Sequence, residues 1–138
     1  MYKTIIVPID LAHTELAPPM IAAAKGLADA DAKIILLNVV EDVPVHVAAM
    51  LPESENIQDK VEANAKSVLD ELVKASGIKA EVEVRHGHPP TAIIALAEEK
   101  DADLIIVASH RPDWHDFLIG STAARVVRHA QRSVLVMR

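Results

Sequence analysis

Short aliphatic runs take turns with helical periodicity along the entire chain, and that alternation restricts the architecture more than any other feature. Thr4–Ile9 (TIIVPI), Lys33–Val40 (KIILLNVV) and Asp103–Ser109 (DLIIVAS) are apolar enough for strands buried on both faces. Ala80–Arg85 (AEVEVR) alternates instead, as a sheet edge wet on one face does, and Ser133–Met137 (SVLVM) closes the chain. Between these runs the spacing predicts helices over about Pro18–Ala30 and Ser54–Ser76, from Pro89 through Glu99, and from Ser121 to about Gln131. Prolines fall where an opening turn tolerates them, and Gly77 follows the second helix as a left-handed cap. Strand and helix in strict succession predict an α/β fold: a five-stranded parallel sheet, order 3-2-1-4-5, with right-handed crossovers and helices on both faces.

The 138 residues suit a single domain, 1–138, and only 2% are aromatic although 51% are hydrophobic, so the core must be built from Val, Ile, Leu and Ala. Cysteine is absent, which removes disulfides, thiolate catalysis and cysteine metal sites. MYKTIIVPID lacks the order of a signal peptide, and no apolar run approaches the ~18 residues of a membrane span. A soluble, cytoplasmic protein without membrane insertion is expected. The net charge of −6 argues against nucleic acid as a partner, but residues 103–138 hold five Arg against three Asp. An anionic ligand therefore belongs near the C-terminal third.

In the order 3-2-1-4-5, strands 1 and 4 flank the point where the winding reverses, and ligands of such sheets sit beyond their carboxyl ends. Those ends are Pro8-Ile9-Asp10 and Ala108-Ser109-His110-Arg111. Just beyond the second lies FLIGSTAARVVRHA, in which Gly120-Ser121-Thr122 opens a helix. Unpaired amides and the macrodipole at such a start suit a phosphate, with Arg111 and Arg125 in reach; a plain helix cap is the alternative. The long irregular stretch Glu41–Asn56 carries Val45, Val47, Met50 and Leu51, which either close over a ligand, meet a second subunit, or pack on the end of the sheet.

Other chemistries find less support. The four glycines form neither a G-x-G-x-x-G dinucleotide fingerprint nor a P-loop. A phospho-acceptor role for Asp10, as in receiver domains, needs further carboxylates and a lysine, whereas residue 11 is Leu and the last strand ends in Met137-Arg138. His86-Gly87-His88 sits in a turn before two prolines with no carboxylate close in sequence and no H-E-x-x-H helix is present, so surface and turn histidines explain the pair better than a metal; His110 and His115 lie near the ligand end. Ser109, Ser121 and Ser133 lack a G-x-S-x-G context.

KTIIVPID, IILLNVV, Gly87 with Pro89, ADLIIVASH and LIGSTAARVVRHAQRSVLVMR, in this order over the whole length, resemble the universal stress protein family. The resemblance implies the fold of adenine nucleotide alpha hydrolases and a homodimer paired through the last strand. One branch of the family binds ATP through Gly, two residues, Gly, nine residues, then Gly-Ser or Gly-Thr; another branch has lost that pattern. By resemblance, Pro8 and Ile9 line a base pocket, Asp10 meets the ribose or a metal-phosphate group, and Val39 reads adenine through its backbone. Gly120, Ser121 and Thr122 hold phosphates, and Val107, Ala108, Ser109, His110 and Arg111 complete the cofactor-binding set.

This chain departs from the pattern at two positions: Ala108 and Arg111 replace the first two glycines, and eight residues rather than nine precede Gly120. Arg111 narrows a close backbone approach or lends a guanidinium to the phosphates. The expectation is a stress-related regulatory protein binding ATP or another adenine nucleotide with Mg, the cation held only through the phosphates. No general base is placed, so no catalytic residue is assigned and at most a slow ATPase is expected. The alternative is a nucleotide-free dimeric interaction protein whose pocket Arg111 blocks. SVLVM supports the homodimer independently, since an apolar edge strand without lysine or proline needs covering.

Overall fold

The computed structural model describes residues 1–42, 44–50, 57–109 and 120–138. Five strands, β1 (Tyr2–Pro8), β2 (Ala28–Val40), β3 (Glu81–His86), β4 (Leu104–Ala108) and β5 (Ser133–Met137), form one sheet in the order β3-β2-β1-β4-β5. Every pairing is parallel. The alternating AEVEVR run becomes the edge strand β3, as its half-wet pattern requires, and SVLVM forms the opposite edge.

Among the described residues five α-helices connect the strands: α1 (Ala17–Leu27), α2 (Val45–Ala48), α3 (Ile57–Ser76), α4 (Pro89–Glu99) and α5 (Ser121–His129). Side chains alternate across the sheet, so Ile5, Val7, Leu36 and Ile106 pack with Met20 and Ile21 of α1 and Leu69 of α3. Ile6, Ile35, Leu37 and Ile105 face the other way, onto Ile93 and Leu96 of α4 and Val126 of α5. Most of these side chains are wholly buried, each stabilising the fold by roughly 1.5–3 kcal/mol relative to exposure.

Two glycines are required by conformation. Gly77 (φ +67°) stops α3, and Gly87 (φ +121°) turns the chain from β3 toward α4 while donating its N–H to the Val40 carbonyl at 3.0 Å. At the amino ends of β1 and β4, the Asp103 carboxylate accepts the N–H groups of Lys3 (2.8 Å) and Thr4 (2.9 Å).

Two elements differ from the sequence expectation. β2 starts at Ala28 rather than Lys33, because ADADA continues straight from α1 into the sheet, with a shift of register between Tyr2 and Thr4 of β1. The Glu41–Asn56 stretch contains a helical turn, α2; Val45 within it and Met50 just after it are more than four-fifths exposed. Those two side chains do not pack on the end of the sheet; Leu51 lies outside the described residues.

Candidate functional site

β1 leads to α1 on one face of the sheet and β4 leads to α5 on the other, so the two connections part and open a crevice above their carboxyl ends. It holds a cavity of about 570 Å³, within the range of small-ligand sites. Pro8, Ile9 and Asp10 reach it from β1, Val39 from β2, Val107 and Ala108 from β4, and Gly120, Ser121 and Thr122 from the start of α5. Nine of the expected residues thus share one cavity. His110, Arg111 and His115 lie outside the described residues.

The wall at α5 is built to meet negative charge. Gly120 is the N-cap and has no side chain with which to cap, and the helix pattern leaves the amides of Ser121, Thr122 and Ala123 without intrahelical acceptors. The macrodipole adds roughly half a positive charge at this end. Gly120 contributes differently from its two neighbours: its own N–H is already donated to Ser109 Oγ at 2.7 Å, and Ser109 does not line the cavity.

At the β1 end, Asp10 caps a 3-10 turn over Leu11–Leu16, its Oδ1 accepting the Ala12 N–H at 2.9 Å. The Ile9 N–H donates to the Leu37 carbonyl at 2.7 Å, holding the exit of β1 against β2. Asn38, 7% exposed, completes that junction by donating from Nδ2 to the Ile9 carbonyl at 2.9 Å. Because a carbonyl only accepts, this bond fixes the orientation of the amide group. Asn38 lines the cavity and was missed from the sequence, although a lone polar residue inside KIILLNVV is a visible signal. His13, Leu16, Met20 and Glu41 also line it, and no sequence pattern marks them. The arrangement offers an apolar floor, one carboxylate side and an amide-rich wall, which fits a ligand with a flat body and an anionic tail.

Other candidates disperse. His86 contacts Gln58 through Nδ1 (3.3 Å) and Glu62 through Nε2 (3.2 Å), whereas His88 Nε2 accepts from Arg125 (2.9 Å), so the two histidines do not converge. No group of three His, Asp or Glu able to hold a metal occurs among the described residues. A hollow of about 760 Å³ lies at the far end of β2 and β3. There Lys33 pairs with Glu81 at 3.5 Å and Asp29 with the N-terminal amine, leaving no excess of one charge to select a ligand. Among the described residues no helix is long and apolar enough to cross a membrane.

The family model for the Universal stress protein family matches residues 1–138. Universal stress protein G of Salmonella typhimurium is 35% identical over 144 aligned positions that span 100% of both chains. The solved structure of MJ0577 from Methanocaldococcus jannaschii superposes with a TM-score of 0.76 at 27% identity, covering 99% of this chain and 96% of that one. A universal stress protein solved in complex with cAMP shares the fold, with a TM-score of 0.65 at 24% identity over 99% of this chain and 97% of its own. The chain belongs to the universal stress protein family.

Proposed function

We propose that this protein is a stress-related regulatory module that binds an adenine nucleotide, ATP foremost, in the crevice between β1 and β4. The observation that carries the reading is the uncapped first turn of α5, Ser121 to Ala123, opening onto a cavity of nucleotide size. Pro8, Ile9 and Val39 form the base end, Asp10 the ribose side, and Ser121 and Thr122 the phosphate side; a universal stress protein of the same fold was solved in complex with cAMP, itself an adenine nucleotide. Asp10 fits a ribose hydroxyl as an acceptor, and Mg would enter with the phosphates. The role is binding rather than turnover, with slow ATP hydrolysis as its upper limit.

Dimerisation belongs to the same proposal. Of the two sheet edges, β3 carries Glu83 and Arg85, paired at 2.7 Å, while Ser133–Met137 presents no charge at all. A second copy therefore adds to β5. The competing reading, a nucleotide-free dimeric interaction protein blocked by Arg111, is favoured by the replacement of two family glycines by Ala108 and Arg111. Calorimetric titration with ATP and Mg separates the two. Saturable binding at one site per chain supports the nucleotide reading; no heat, together with no adenine nucleotide released from the denatured protein, overturns it in favour of the blocked pocket.

A further inference from the structure

Ser109 approaches the cavity without entering its wall, and its two hydrogen bonds run in opposite directions. Toward the sheet, Ala108 pairs with Met137, and the Ser109 N–H donates to the Met137 carbonyl at 2.8 Å, extending the β4–β5 ladder one residue beyond β4. Toward the helix, Ser109 Oγ accepts the Gly120 N–H at 2.7 Å, a short bond between residues eleven apart in sequence. The Gly120 carbonyl accepts from Ala124 N–H at 2.9 Å, in the first turn of α5. The residue that opens α5 is therefore gripped from both sides, by the helix through its carbonyl and by the sheet through Ser109.

Among the described residues nothing else holds Gly120 from that side. Gly120 has no side chain, and among the described residues a Cβ added to it would find only Ser109 Oγ within 4 Å, at 3.8 Å. The amides of Ser121, Thr122 and Ala123 project from the helix turn that this residue begins. Their direction toward an anion in the cavity thus depends on a hydroxyl that does not itself line it.

We propose that Ser109 is a positioning residue: its hydroxyl anchors Gly120 to the end of β4 and thereby sets the part of ligand affinity that comes from phosphate. This rests on the nucleotide reading above. The body of the ligand, at the Pro8, Ile9 and Val39 end, is independent of the anchor. Removing the hydroxyl therefore lowers affinity for ATP and leaves adenosine untouched, a split that general loosening of the fold does not produce.

The test titrates wild type, Ser109→Ala and Ser109→Thr with ATP and with adenosine, and follows amide hydrogen exchange at Gly120. Loss of one hydrogen bond and the misalignment it permits is expected to weaken ATP about five- to tenfold in Ser109→Ala. Adenosine affinity stays within twofold, Gly120 exchange accelerates, and Ser109→Thr, which keeps the hydroxyl, restores both. Should Ser109→Ala fail to fold, Ser109→Cys retains the volume with a weak acceptor and is expected to show the same split. Equal loss for ATP and adenosine, or an ATP preference that survives the substitution, overturns the assignment alone. A wild type that binds neither ligand overturns the nucleotide reading and this assignment together.

Discussion

Gly120→Val separates what the fold needs at this position from what the ligand needs. The backbone there (φ −62°, ψ 155°) is ordinary extended geometry open to any residue, and among the described residues the space around an added Cβ holds only Ser109 Oγ, at van der Waals distance. Valine is a poorer N-cap than glycine by about 1 kcal/mol, and restricting the unfolded chain returns about 0.4–1 kcal/mol. The net change in stability is within about 1 kcal/mol, a shift in Tm of no more than about 4 °C. On the ligand side, an isopropyl group beside the first turn of α5 keeps a phosphate away from the Ser121 and Thr122 amides. Two bonds to a charged acceptor, at about 1.5–3 kcal/mol each, amount to a loss of roughly 10² to 10⁴ in affinity. Thermal melting and calorimetric titration of the same preparation read both quantities. An ATP affinity within threefold of wild type refutes the phosphate assignment, and a fall in Tm beyond about 10 °C refutes the claim that the fold is indifferent to this glycine.

Three further outcomes are expected. Asn38→Leu strands the Ile9 carbonyl without its donor and lowers stability by about 1–3 kcal/mol, seen as a lower urea midpoint with an unchanged m-value. Burial pushes the Asp103 carboxyl up, but the Lys3 and Thr4 amides outweigh it and hold the group below the usual carboxylate range. The stability from this depressed value is complete above the unfolded pKa of about 3.9 and is lost as pH falls through the folded one, so acid melts wild type more steeply than Asp103→Ala below about pH 4. Sedimentation at rising concentration is expected to show twice the 14.9 kDa chain mass; a monomer throughout refutes pairing through β5.

The sheet was legible because its three central strands carry buried apolar runs, and a run such as KIILLNVV has few other uses in a chain of this length. Its limits were less so. ADADA reads as a helix end by alanine propensity, yet tertiary pairing with Tyr2 draws Ala28 into β2. The cavity was legible to the extent that topology dictates where strands 1 and 4 end, and this located Pro8, Asp10, Ala108 and Gly120. Hydrogen bonding inside it was not. That Gly120 spends its N–H on Ser109, and Asp10 one oxygen on Ala12, depends on chain geometry that residue types alone do not encode.

The staple made by Asp103 lies at the foot of β1, whereas the crevice lies at its head, some six residues or about 20 Å away. The Asp103 staple and the proposed ligand crevice thus sit at opposite ends of the same strand. A lineage can change the upper end, at Ala108 for instance, without loosening the lower one. Ligand preference can drift in such a molecule while its architecture stays put.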